Sequence, residues 1–263
     1  MIRAVTLLHS ILHFVLLVLL SLIGAILSLA SAPFDRSGDT VVALARIWSR
    51  LLLWTAGVPL TIKMQGALDP TQPYVFMANH LSTVDIWALF VAVPTKVRFI
   101  AKKQLGRIPV FGWAMAVGRF IFIDRQNPLA ARRSIDQAAA RIRAGSSVAI
   151  FPEGTRSRDG QLGPFKKGGF HLAISAGVPI VPVGIRGAME VMPRGSLILR
   201  RGPVTIEIGA PISTKDLSGA DRNALLDRVR DEIARMSGQH KRALPPETQP
   251  SADGPVVSVT KPG

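Results

Sequence analysis

Seven consecutive residues carry the strongest chemical signal in the chain: Asn79-His80-Leu81-Ser82-Thr83-Val84-Asp85. They lie between two apolar runs, Tyr74–Ala78 and Ile86–Phe90, which read as a buried strand and a helix. In α/β proteins such strand-to-helix junctions are where chemistry is commonly placed. An imidazole with a carboxylate five positions later can act as a general base with an orienting acid. Ser82 and Asp85 also fit the S-x-x-D pattern of a helix capping box, in which Asp85 would only cap and His80 would be a loop histidine. The two readings are compatible. Five residues turn about 140° around a helix, so His80 and Asp85 meet only if His80 precedes the helix, where a cap at Ser82 would leave it.

A second polar cluster, Phe151-Pro152-Glu153-Gly154-Thr155-Arg156-Ser157-Arg158, follows the strand-like Val148-Ala149-Ile150. Its glycine permits close approach of backbone to a ligand. Its arginines offer planar, bidentate donors suited to phosphate, and Glu153 could orient an arginine or accept a substrate hydroxyl. A plain polar turn is the alternative. A third group comprises Lys102-Lys103-Gln104, Ile108-Pro109-Val110-Phe111-Gly112 and Ile123-Asp124-Arg125. Its cations could bind phosphate or simply be solvated, and Asp124 with Arg125 could be a surface pair. Phe165-Lys166-Lys167-Gly168 adds a further basic patch, and Val178-Pro179-Ile180-Val181-Pro182-Val183 reads as a buried strand edged by prolines.

The elements that must position these clusters follow a simple pattern. Strand-like runs are expected at 60–64, 74–78, 97–101, 120–124, 147–151, 180–185 and 204–208. Helices are expected at 83–93, 110–117, 128–144, 169–176 and 220–236. Alternating strands and helices imply an α/β fold, with a mixed, largely parallel sheet flanked by helices. Upstream, Ile11–Ala32 is 22 residues without a formal charge, long enough to cross a bilayer core. It reads as an uncleaved anchor; a signal peptide ending at Ala30-Ser31-Ala32 is the competing reading, with Pro33 directly behind the would-be cleavage site. Val41–Val58 is a second apolar segment, with Ile47, Leu51, Trp54 and Val58 on one face. Arg46 and Arg50 at its middle would each cost about 2.5–3.5 kcal/mol in a bilayer centre. The segment therefore reads as interfacial, with Trp48 and Trp54 near headgroup level, or as packed on the globular domain, or both. The expected division is a membrane-anchoring helical pair at 1–59, a catalytic domain at 60–240 and a disordered Pro-rich tail at 241–263.

Composition narrows the chemistry. The chain has 263 residues, a mean hydropathy of +0.30 and no cysteine, which excludes disulfides, thiolate nucleophiles and cysteine metal sites. Of a net charge of +15, nearly all arises between Lys96 and Arg201, where 19 basic residues face 5 acidic ones. That region should attract an anionic partner. A nucleic acid is argued against by the apolar anchor and by aromatics at only 6%.

In this order and spacing, the clusters resemble those of the bacterial 1-acyl-glycerol-3-phosphate acyltransferase family of phospholipid synthesis. The family's H-x4-D block matches Asn79–Asp85, its glycine- and proline-bearing block ending in Asp-Arg matches Gly106–Arg125, its Phe-Pro-Glu-Gly-Thr-Arg-Ser block matches Phe151–Ser157 without a mismatch, and its Val-Pro-Ile-Val-Pro block matches Val178–Pro182. The resemblance covers about residues 60–215. One departure is Gln104, where the family often has glutamate, which puts a charge contact there in doubt.

The resemblance implies a glycerolipid acyltransferase-like fold. It implies His80 as the general base on the glycerol hydroxyl of 1-acyl-glycerol-3-phosphate and Asp85 as the group that holds its tautomer. It also implies Glu153, Gly154, Thr155 and Arg156 at the acceptor's phosphate region, with Arg125 and Lys102 as further binding residues. The donor would be acyl-CoA or acyl carrier protein, with no metal and no cofactor, and the product phosphatidic acid. The partners would be the bilayer, the lysophospholipid and the acyl donor, and not nucleic acid. Because these donors are cytosolic, the expected location is the cytoplasmic face of the inner (plasma) membrane. Another lyso-lipid acceptor, such as a lyso-ornithine lipid or lysophosphatidylglycerol, shares the same motifs. From other classes, a membrane-bound acyl-CoA thioesterase or a non-catalytic membrane binder remains open.

Overall fold

The computed structural model describes residues 2–124 and 128–242. Two long helices, α1 (Ile2–Ser31) and α2 (Asp39–Ala56), precede the sheet. Then follow β1 (Leu60–Met64), β2 (Val75–Ala78), α3 (Val84–Ala92), β3 (Val97–Lys102), a 3-10 turn (Lys103–Arg107), α4 (Phe111–Val117), β4 (Ile121–Ile123), α5 (Pro128–Arg143) and β5 (Ser147–Ile150). The chain finishes with α6 (Gly168–Ala176), β6 (Ile180–Arg186), the short α7 (Ala188–Val191), β7 (Val204–Ile208) and α8 (Arg222–Ser237).

The seven strands form one sheet in the order β1-β7-β6-β2-β5-β3-β4. All neighbours are parallel except β6 and β7. The expected mixed, largely parallel sheet is therefore present, and the seven expected strands fall within a residue of those observed. The 3-10 turn and α7 were not anticipated: each is a single turn, too short for helical periodicity to register.

The strands β2 and β5 are buried along their whole length, as a central parallel pair must be. Alternate residues feed two cores. Phe76, Ala78 and Ala149 face a layer built from α2 and α3, whereas Val75, Met77, Val148 and Ile150 face α5, α6 and α8. From β2 the chain leaves toward β3; from β5 it leaves the opposite way, toward β6. The carboxyl ends of these two adjacent strands therefore flank the topological switch point, where open α/β sheets form their ligand crevice.

Helix α2 has one face packed on the globular domain and one open face. Val42, Leu52, Leu53 and Ala56 are buried. Arg46 caps the end of α3: its Nε donates to Phe90 O at 3.0 Å, and its Nη2 donates to Val93 O at 2.7 Å and Thr95 O at 2.9 Å. This arginine serves the globular domain, satisfying carbonyls that a helix end leaves without partners. The expectation for Trp48 needs correction. It turns inward, donating to Ser21 Oγ at 3.1 Å and meeting Trp87 edge-on, because α1 covers that face. Val58 is also buried, lying beyond the αL Gly57 that ends the helix. Trp54 is 78% exposed, and Ile47 and Leu51 are exposed with it.

Helix α1 is long and apolar enough to cross a membrane by length and composition, and most of that span is not buried. Leu8, Ile11, Leu12, Val15 and Val18 lie open on its outer face. The tail beyond 242 and Arg125 lie outside the described residues.

Candidate active site

The site is built from two loops at the carboxyl ends of β2 and β5. Where β2 stops, Asn79 is fully buried and bonds Ile185 in both directions, Nδ2 to the carbonyl at 2.9 Å and Oδ1 from the amide at 2.8 Å. Its Nδ2 also donates to Gln239 Oε1 at 2.7 Å. The turn that presents His80 is thus clamped to β6 and to the segment after α8.

His80 lies outside α3 and Asp85 lies in its first turn, as the 140° argument requires. The imidazole Nδ1 is 2.9 Å from Asp85 Oδ2. The same oxygen accepts the backbone N–H groups of Leu81 at 2.6 Å and Ser82 at 2.7 Å. Asp85 is fully buried, while the His80 side chain keeps 14% exposure. A carboxylate held by backbone donors cannot rotate away, so it fixes Nδ1 as the protonated nitrogen and leaves Nε2 as the basic one. The capping box is half made. Asp85 returns to the Ser82 N–H, but the Ser82 hydroxyl donates to Met192 O at 2.7 Å and accepts the Val84 N–H at 3.2 Å.

The second loop supports the first. Phe151 stacks on the His80 ring, 3.9 Å between centroids and 12° from parallel. Glu153 is buried, with Oε1 accepting the backbone N–H of His80 at 2.9 Å and Oε2 accepting that of Gly163 at 2.9 Å. Burial pushes its carboxyl above the ordinary carboxylate range, and those two backbone donors partly oppose the shift. Gly154 has φ 74°, a left-handed backbone that other residues rarely adopt, so the turn favours glycine there. The Ser157 N–H donates to His80 O at 2.8 Å. Arg156 Nη1 donates to Thr83 Oγ1 at 2.9 Å, between His80 and Asp85 in sequence.

The structure thus brings together His80, Asp85, Glu153 and Arg156 on one edge of the sheet. Thr155 is exposed on the same turn. Lys102 ends β3 on that edge, one strand beyond β5, and is exposed; its neighbour Lys103 pairs with Asp124 at 3.2 Å. Two contributors were missed. Arg194 Nη1 donates to Arg156 O at 2.7 Å, and Gln239 joins Asn79 to Gly160 O. Neither stands in a motif; each is a single polar residue delivered by a distant segment. Among the described residues no group of three or more His, Asp or Glu is placed to hold a metal.

This architecture is shared with a solved structure, the 1-acyl-sn-glycerophosphate acyltransferase of Thermotoga maritima, with a TM-score of 0.75 over 92% of this chain and all of that one. At 23% identity that likeness is one of fold. A family model described as Acyltransferase matches residues 60–186, which hold both loops. Among curated proteins, the 1-acyl-sn-glycerol-3-phosphate acyltransferase of Limnanthes douglasii is 34% identical over 201 residues, 76% of this chain and 68% of that protein. A chloroplastic 1-acyl-sn-glycerol-3-phosphate acyltransferase of Brassica napus is 34% identical over 192 residues, 73% of this chain and 54% of its own length. The chain therefore spans between about half and two thirds of these relatives. It belongs to the 1-acyl-sn-glycerol-3-phosphate acyltransferase family.

Proposed function

We propose that this chain transfers an acyl group from an acyl thioester to the free hydroxyl of 1-acyl-glycerol-3-phosphate, giving phosphatidic acid. The observation that carries this is the fixed His80–Asp85 pair, with Nδ1 and Oδ2 2.9 Å apart, tied to Arg156 through Thr83 on the same loop. His80 Nε2 removes the proton of the acceptor hydroxyl, whose oxygen attacks the thioester carbonyl. The tetrahedral intermediate collapses, the ester C–O bond remains, the C–S bond breaks, and the departing thiolate takes the proton back from the imidazolium. Asp85 stabilises that imidazolium. No protein nucleophile, metal or cofactor enters the scheme.

Arg156 and the Gly154 turn receive the acceptor's phosphate, with Thr155 at its rim. Lys102 is a further binding residue, as is Arg125, which lies outside the described residues, with acyl-CoA or acyl carrier protein as donor. Glu153 acts differently from a ligand. Its two oxygens are occupied by backbone N–H groups, and an anion would be repelled by them. It is a positioning residue that holds the His80 turn. The open apolar faces of α1 and α2 seat the domain on the membrane that holds its lipid substrate, on the cytoplasmic face of the inner membrane.

The test supplies purified membranes with labelled acyl-CoA and a panel of acceptors: lysophosphatidic acid, lysophosphatidylglycerol, a lyso-ornithine lipid and none. Acylation of lysophosphatidic acid above the others is expected. Acylation of a different lyso-lipid alone would overturn the substrate assignment, and acceptor-independent release of free acid would point to a thioesterase.

A further inference from the structure

On the opposite edge of the sheet lies a second basic concavity, a cavity of about 780 Å³. It opens where β3, β4 and β5 begin, beside the turn between α1 and α2. Arg36, Lys96, Arg98, Arg119 and Arg141 line it, and Asp39 is the one acid among its lining residues. Asp39 is fully engaged, with Oδ1 2.9 Å from Arg98 Nη2 and Oδ2 2.7 Å from Lys96 Nζ. Among the described residues no carboxylate pairs with Arg36, Arg119 or Arg141.

Two of those guanidinium groups are nonetheless aimed. Arg119 Nε donates to Arg36 O at 2.7 Å, and Arg141 Nη1 donates to Arg119 O at 3.3 Å. Carbonyls orient them without neutralising them, which leaves other N–H groups available. Arg119 sits at φ 57°, the left-handed position that closes α4, with its N–H donating to Ala116 O at 3.0 Å and the Phe120 N–H to Met115 O at 3.0 Å, so its side chain leaves the helix end at the rim of the cavity. Guanidinium forks without a carboxylate partner match the acceptor oxygens of a phosphate.

We propose that this cavity binds a phosphate-bearing anion. It is not the acceptor site of the transfer reaction. His80 and Arg156 follow the carboxyl ends of β2 and β5, and the cavity lies at the amino ends of the parallel strands, about 13 Å away along a four-residue strand. The anion is either the headgroup of an anionic phospholipid or a soluble phosphate. Phe34 in the adjacent turn is 90% exposed, which places the opening beside an apolar protrusion.

The experiment follows the melting temperature of the full chain in dodecyl maltoside micelles. One arm adds inorganic phosphate against sodium chloride at equal ionic strength. The other adds phosphatidylglycerol against phosphatidylcholine. A rise of about 3 °C in at least one arm is expected near saturation. A rise with phosphate identifies a soluble ligand; a rise with phosphatidylglycerol alone identifies a headgroup. The double variant R119G/R141Q should lose the rise, and its glycine accepts the left-handed backbone without strain, so folding is preserved. The single variant R36Q, at an exposed residue, should show a smaller rise. No rise in either arm, or the wild-type rise retained in these variants, would overturn the proposal.

Discussion

Glu153 Oε1 accepts the backbone N–H of His80 at 2.9 Å, so the acid of one loop holds the base of the other. The Ser157 N–H returns the contact to His80 O at 2.8 Å. Two parallel neighbours, β2 and β5, end side by side, and the two loops that leave them are sewn together around the imidazole. A Glu153→Gln variant keeps the shape but presents an NH2 group to one of the two backbone donors. It should lose about 1–3 kcal/mol of stability and at least tenfold in kcat, with KM for the acceptor moving less. Thermal melts and steady-state kinetics check both.

The raised Glu153 carboxyl also has a pH signature. Its folded pKa lies above its unfolded one, so its contribution to stability is fully present below the ordinary carboxylate value and is lost as pH rises through the raised one. Stability of the wild type should therefore decline across that interval by a component that Glu153→Gln lacks. Melting temperatures of the two proteins from about pH 4 upward measure it.

Asp85→Asn should disable the reaction without displacing His80. An amide cannot stabilise the imidazolium, and its NH2 can favour the wrong ring tautomer. A loss on the order of 10^4 in kcat is expected from such a change. Nitrogen chemical shifts of the His80 ring should show Nδ1–H in the wild type and a shifted tautomer balance in the variant.

Arg156→Ala should raise KM for the phosphate-bearing acceptor about 10–100-fold, and raise that for the acyl donor far less. Arg156→Lys should recover little, because a lysine cannot reach Thr83 and a phosphate with a planar fork. Equal effects on both substrates would assign Arg156 to the loop's structure instead.

Arg46→Ala should lower stability by about 2 kcal/mol, since three carbonyls at the end of α3 lose a charged donor. Its kinetic constants should stay near wild type. A melt gives the first and an acyl-transfer assay the second.

What the sequence revealed and what it hid follow from range. The strands were legible because buried parallel strands are continuous apolar runs, as at Val75–Ala78 and Ser147–Ile150. The His80–Asp85 geometry was legible because helix pitch and a cap constrain residues five apart. Glu153's place was not. Nothing local distinguishes a carboxylate that binds ligand from one that holds a backbone 73 residues away. Arg46 read as a membrane penalty because its partners are 44 to 49 residues downstream. Gln239 reaches Asn79 across 160 residues. Trp48 was misplaced because helical spacing gives the face of α2 but not that α1 would cover it.

The central claim is that His80 is the base of an acyl transfer. The most direct measurement is transfer of labelled acyl groups from acyl-CoA to lysophosphatidic acid by purified wild type and His80→Ala in the same micelles, with melts confirming that both are folded. The wild type should form labelled phosphatidic acid and the variant should be slower by at least about 10^3. Phosphatidic acid formed at the wild-type rate by folded His80→Ala would contradict the account.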